Sequence, residues 1–253
     1  MRVGTLSEIR RKARPGMLSA GGPSLDAQIA ALFAAGEEGL DWSDIRPATV
    51  WQDAAGTVPG VLGQPVFRLD DKSGRGHHAL QATAGSRTVL QQDAGGRYYL
   101  QCNGTSQGFG CAISGWSGTM LLSAAIRADT TASHLLFSNA TSGTLWTGVS
   151  QSGSASSYMD GSITNIGQKL YLDGTEVLPT TRGALNTAIG SGVAHVEEIW
   201  PLPMSNFTGF NFSQYSALFF PGRFYGAIAT VYSNAQTAAL VRKYLGLKAG
   251  LSL

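Results

Sequence analysis

Charge is scarce in this chain. Of 253 residues, 18 are Lys or Arg and 16 are Asp or Glu, or 13%, about half of the ~25% usual in soluble domains. The net charge of +2 is too small to drive sequence-independent phosphate binding, which excludes a polycationic nucleic-acid binder. A chain 43% hydrophobic is not a solvated disordered tail either. Long apolar runs are absent. None approaches the ~20 residues of a membrane helix, so no membrane insertion is expected. No apolar stretch follows the basic start, so no secretory signal is expected. Cysteine is nearly absent: Cys102 and Cys111 are too few for a disulfide framework or a four-ligand zinc site. A hairpin across Asn103–Gly110 would bring the two together; a pair of small buried thiols is the plainer expectation. The sequons at Asn103, Asn139, Asn206 and Asn211 matter only in a eukaryotic secretory pathway, which nothing here indicates.

Glycine is plentiful, at 33 residues, and with the many Ser and Thr residues it suits a β-rich domain full of turns. The length fits one all-β domain. The charge is uneven. Residues 1–14 carry five basic side chains against Glu8, whereas the rest carries 13 basic and 15 acidic ones. A basic arm of this kind meets phosphate or an acidic protein surface, or is simply solvated. Residues 7–14, with Arg10 and Arg11, have the pattern of one or two helical turns before Pro15-Gly16. After Gly21-Gly22-Pro23, Ser24 offers an N-cap, and Leu25, Ile29, Leu32 and Phe33 share one helical face. Gly36 suits the C-cap. This stripe needs a partner, either the body or another chain. Residues 1–36 are therefore read as an attachment arm and 37–253 as the body.

From about residue 40 the pattern changes to strands and turns. Met120–Arg127, His134–Phe137 and Thr144–Val149 read as strands. Lys169–Leu172, Asp173-Gly174 and Thr175–Leu178 form a hairpin signal, and Asp160-Gly161 is a second turn. Phe224–Tyr232 alternates again. Short strands at close spacing predict an all-β antiparallel sandwich. The chain then changes period: Asn234 caps a helix through Ala238, Leu240, Val241, Tyr244 and Leu245, with Gly246 as its end.

Catalytic motifs are missing. There is no Gly-x-Ser-x-Gly elbow and no phosphate loop. Glycoside hydrolysis uses two carboxylates across the scissile bond. The nearest candidates, Glu197 and Glu198, point to opposite faces of a strand; Asp173 is the only other carboxylate to offer. No catalytic residue is assigned, and the chain is expected not to be an enzyme. His77-His78 has no third ligand beside it, so no metal site is assigned. No cofactor is expected. Asp70-Asp71 is a candidate for calcium, an oxygen-seeking ion, against the plainer reading of a turn with two solvated acids.

Aromatics are the stronger signal. Eight of the 18 Phe and Tyr residues lie between 207 and 225. The run from Asn206 and Phe207 through Phe210, Asn211 and Phe212 to Tyr215 alternates rings with amides and hydroxyls. Rings stack on sugars and amides bond their hydroxyls, so the mixture suits carbohydrate binding. It equally suits a strand with one core face, or a subunit interface. Trp116, Trp146, Tyr158 and Trp200 join these carbohydrate candidates with the same ambiguity.

The stretch Asp71-Lys-Ser-Gly-Arg-Gly-His-His-Ala-Leu-Gln81 resembles the D-x-S-G-x-G-x-x-A-x-Q segment of laminin-G-like, concanavalin A-type jelly rolls found in bacteriophage virion proteins. Leu40–Asp44 and Trp51–Thr57 stand before it, as in that family. Cys102-Asn103-Gly104 resembles its F-D-G triplet, Tyr171–Gly174 its hairpin, and Phe220–Ala229 with Lys243–Gly250 its closing strand and helix. The likeness spans about residues 30–253. It implies an all-β jelly-roll sandwich with a short N-terminal helical arm and a C-terminal helix. It also implies a tail-fibre or other appendage role in the virion, made in the bacterial cytoplasm. Expected partners are other virion proteins, copies of the chain itself and host surface polysaccharide. Attachment through Arg10, Arg11, Leu25, Ile29, Leu32 and Phe33 is implied with it. A purely structural virion protein without a glycan is the alternative. The family's glucanases carry an E-x-D-x-E strand, which this chain lacks. The triplet aspartate is Asn103 here.

Overall fold

A computed structural model describes residues 22–131, 134–139, 146–150, 153–156, 168–178, 181–205, 207–213 and 219–253. Arg10, Arg11, Tyr158, the Asp160-Gly161 turn, Asn206 and Tyr215 lie outside the described residues, as does the side chain of Trp146. The described part is mostly β-structure in two antiparallel sheets. Its strands are β1 (Gly39–Asp41), β2 (Val50–Trp51), β3 (Arg68–Leu69), β4 (Ala79–Leu80), β5 (Val89–Gln92), β6 (Tyr98–Asn103), β7 (Phe109–Ala112) and β8 (Thr119–Ala128). They continue as β9 (His134–Ser138), β10 (Trp146–Ser150), β11 (Lys169–Leu172), β12 (Thr175–Val177), β13 (Ala194–Pro203), β14 (Gly209–Phe212) and β15 (Pro221–Thr230). Three α-helices are described, α1 (Leu25–Ala31), α2 (Arg182–Ile189) and α3 (Ala235–Ala249), with a 3-10 turn at Ala84–Ser86.

The first sheet runs β12-β11-β13-β8-β15-β6-β5, with β1 added on β15; the second runs β10-β9-β14-β7-β4-β3-β2. The inner faces of the two sheets share one core. Trp42, Phe109, Phe137, Phe210, Phe212 and Phe224 meet there, with Phe212 and Phe224 ring centres 4.4 Å apart. Fully burying one such side chain contributes about 1.5–3 kcal/mol. The alternation around 207–212 is therefore a core pattern: Phe207, Phe210 and Phe212 point inward.

A second apolar layer lies on the outer face of the first sheet. Leu121, Ala125, Val196, Tyr225 and Ile228 are covered there by Val241, Tyr244 and Leu245 of α3 and by Ile29 and Phe33. The stripe of α1 thus finds its partner within the chain, and Leu25 and Leu32 pack against the same layer. This corrects their reading as attachment residues. The packed body includes α1 rather than starting after residue 36.

Local signals explain several element ends. Ser24 accepts from the Ala27 N–H at 3.2 Å, and Asn234 accepts from the Thr237 N–H at 2.9 Å. The predicted hairpin turn forms, with φ of 52° at Asp173 and 85° at Gly174. One end differs from expectation. Helix α3 runs past Gly246 to Ala249; Gly246 instead makes room for the Leu253 side chain, 3.0 Å from the place of a Cβ. Gly250 makes the cap instead. Cys102 and Cys111 are free and buried. They lie on β6 and β7, which belong to different sheets, so the chain between them crosses the sandwich rather than closing a hairpin. Burial pushes both thiols up to about 12.

Candidate functional site

The second sheet carries one ladder row across all seven of its strands. Trp51 pairs with Arg68, Arg68 with Leu80, Leu80 with Gly110, Gly110 with Asn211, Asn211 with Ser138, and Ser138 with Trp146. Neighbours along the strands point into the core: Val50, Leu69, Ala79, Phe109, Phe210 and Phe137 are all buried there. From Trp51 to Asn211 the row therefore faces outward, by the two-residue period of a strand.

A cleft of about 460 Å³ opens over the middle of this row, where Leu80, Gly110 and Asn211 meet His77, His78 and Gln81. That size falls within the usual range for ligand sites. Gly110 forms its floor. A Cβ there would collide with Asn211 Oδ1 and the Phe210 carbonyl, so the close strand approach and the open floor have one cause. Among the described residues, neither the Asn211 amide nor the His77 ring has a hydrogen-bond partner. Both present unused polar atoms beside the apolar side chain of Leu80, which is 44% exposed.

The D-x-S-G-x-G loop builds one wall, and its residues have structural reasons. Asp71 Oδ1 accepts from the Asp41 N–H at 2.8 Å and the Ser73 N–H at 2.9 Å; Oδ2 accepts from the Ser73 hydroxyl at 2.7 Å and the His77 N–H at 2.9 Å. Gly74 and Gly76 take the positive φ of 79° and 77° that the tight loop needs. Ala79 fills the core. Gln81 donates to the Gly108 carbonyl at 2.9 Å and accepts from the Thr83 N–H at 3.1 Å. Asp70 fastens the flank of the row: its carboxylate accepts from Trp51 Nε1 at 2.7 Å and from Arg68 Nε at 2.8 Å. The calcium reading of Asp70-Asp71 is corrected by these bonds, since protein donors occupy the lone pairs that a cation would need. Among the described residues, no group of three or more His, Cys, Asp or Glu could hold a metal ion.

The other carbohydrate candidates scatter. Trp116 is buried, edge-on to His77 and Phe210, and supports the cleft wall from behind. Phe207 is buried against Phe210. Both are corrected from sugar platforms to core. Trp200 lies on the first sheet, stacked on Tyr171 at 5.2 Å, away from the cleft. Asn211 alone of the described candidates lines the cleft. Gln81, His77 and Gly110 were not chosen from sequence; the resemblance segment was the signal that held the first two.

Glu197 and Glu198 do lie on opposite faces. Glu197 pairs in register with Leu172 and Ala124 of the inner core, whereas Glu198 Oε2 accepts from Arg242 Nε of α3 at 2.6 Å. Burial raises the Glu198 carboxyl to about 7 against the pull of Arg242. Asp173 Oδ2 sits 2.7 Å from His195 Nδ1, and Oδ1 accepts from the Val196 N–H at 2.8 Å.

No family model matches the chain, and no curated protein matches it. Among solved structures it is similar to Trypanosoma rangeli sialidase in complex with 2,3-difluorosialic acid, a covalent intermediate. The TM-score is 0.39 and the identity 11%, over 88% of this chain and 38% of that one. This finding stands against the expectation that the chain is not an enzyme, since the similar structure is that of an enzyme. A likeness of this degree assigns no activity, and none is taken from it.

Proposed function

We propose that the chain is an appendage protein of a bacteriophage virion, built as a concanavalin A-like (laminin-G-like) jelly roll, whose open face binds a host-surface glycan. The observation that carries the reading is the cleft over Gly110, where the free Asn211 amide and His77 ring stand beside Leu80. Amide and imidazole groups bond sugar hydroxyls, and the apolar patch takes a sugar's C–H face. The helix-backed face is left for contacts within the particle. Attachment falls to the segment before residue 22, since the stripe of α1 is used inside the body.

A glycan array with the whole protein tests the binding reading. Specific signal that falls at least tenfold in Asn211→Ala and His77→Ala supports it. No signal on bacterial surface polysaccharides, with the protein still incorporated into particles, overturns it in favour of a structural virion protein. Removing residues 1–21 is expected to leave the fold intact and to stop incorporation. Normal incorporation of that variant sinks the attachment reading.

A further inference from the structure

On the outer face of the first sheet, one row beyond the helix-covered Tyr99 and Tyr225, two arginines stand side by side. Gln101 of β6 pairs with Arg223 of β15, and Arg223 pairs with Arg127 of β8. Direct partners on neighbouring strands hold their side chains on one face about 5 Å apart, and like charges so placed repel. Among the described residues, a single carboxylate answers both. Asp129 Oδ1 lies 3.6 Å from Arg127 Nε and 3.6 Å from Arg223 Nε, too far for a hydrogen bond to either. Its Oδ2 already accepts from the Gln101 amide at 3.1 Å. Both Nε atoms are buried without a hydrogen-bond acceptor among the described residues, while the side chains remain 33% and 23% exposed. The Tyr99 ring lies under the Arg223 guanidinium at 4.8 Å, and the Tyr225 hydroxyl stands against it. These contacts hold Arg223 in place without meeting its charge.

We infer that Arg127 and Arg223 form a binding site for an oxyanion, a carboxylate or a phosphate, on the face opposite the glycan cleft. Two planar guanidinium forks held by paired strands suit the two or three oxygens of such a group. A separate cleft of about 240 Å³ is lined by Tyr225 with Arg46, Arg97 and Lys248, and by neither Arg127 nor Arg223. Arg46 and Arg97 are already paired with Asp44 and Asp93, at 3.0 and 2.8 Å. Lys248 lies over the Tyr244 ring at 4.7 Å, whereas Arg127 and Arg223 share the one Asp129 carboxylate, which leaves one positive charge of the pair over. The inference does not depend on the glycan reading, because the two sites share no residue.

Thermal unfolding of the whole protein in inorganic phosphate, in glucuronate and in chloride, at matched ionic strength, tests it. A rise of about 3 °C is expected in phosphate or glucuronate over chloride, near tenfold saturation. The rise is lost in Arg127→Gln/Arg223→Gln, which melts no lower than wild type in chloride because the repulsion is relieved. A larger rise in glucuronate marks a sugar acid as the source; a larger rise in phosphate marks a phosphoryl group. A second measurement needs no variant: phosphate is expected to protect Arg127 and Arg223, but not Arg46, from phenylglyoxal, read by peptide mass spectrometry. Equal melting in all three salts, a rise that survives the double substitution, or the absence of protection overturns the inference.

Discussion

The two outer faces of the sandwich start from the same alternating chain and end with opposite surfaces. On the first sheet the outward residues Leu121, Ala125, Val196, Tyr225 and Ile228 are apolar and lie beneath α3 and the α1 segment, with the Arg127–Arg223 row left at its margin. Its central strand β8 is accordingly buried from Met120 to Ile126 without a break. On the second sheet the outward positions of β4, β7 and β14 are Leu80, Gly110, Ala112 and Asn211, and burial alternates along these strands. A strand buried on both faces reads as a continuous apolar run, and one buried on a single face alternates. The difference separates a face built for internal packing from one left to solvent and ligands.

Several changes would break or sharpen that comparison. The largest effect is expected from Val241→Asp, which puts a charge into the seal between α3 and the sheet. It should cost more than about 4 kcal/mol, seen as loss of a cooperative urea transition. A variant that unfolds like wild type would mean that α3 contributes little to the fold. Gly110→Ala on the open face is expected to cost about 1–3 kcal/mol by overpacking, and to abolish glycan binding together with the floor. Retained binding on the array would place the ligand elsewhere.

A smaller effect concerns pH on the helix-backed sheet. The Asp173 hydrogen bond holds the His195 imidazole above its usual 6.5, and burial raises Glu198 to about 7. A group that titrates higher when folded gives stability that is full below its unfolded pKa. That stability is lost as pH rises through the folded pKa. The protein should therefore weaken from about pH 4.5 to 7 through Glu198, and from 6.5 upward through His195. For Asp173, burial pushes the carboxyl up but the His195 hydrogen bond overrides it, so it titrates lower than usual. Its share is present above its ordinary 3.8 and fades as pH falls through the folded value. Urea melts across this range should show a flatter alkaline loss in His195→Gln; an unchanged slope would remove His195 from the account. The smallest stability effect belongs to Asn211→Ala, within about 0.5 kcal/mol, although its binding loss is about tenfold for one hydrogen bond. A large loss of stability would make Asn211 a structural residue and the cleft incidental.

Parts of this were legible in the chain. Apolar runs marked β8 and β9, alternation marked β15, the Asp173-Gly174 dipeptide marked the hairpin, and Ser24 and Asn234 marked two helix starts. Each signal is local and acts through backbone geometry within a few residues. The site was legible only in part. Asn211 was picked out, but Trp116 and Phe207 look alike in sequence whether they line a surface or a core. Asp71 looked like a cation ligand because one of its donors, the Asp41 N–H, comes from another strand.

By itself the sequence determined the elements: strand period, turns, caps, and a chain too poor in charge to act through net electrostatics. Only the tertiary structure decided which faces are covered, that the stripe of α1 is used inside the body, and that Gly110 meets Asn211. It also decided that Arg127 and Arg223 stand together. The physical reason is the same for each. Local signals fix φ and ψ, whereas burial and charge pairing depend on which distant strands become neighbours, and the register of a sheet is set by the packing of the whole core.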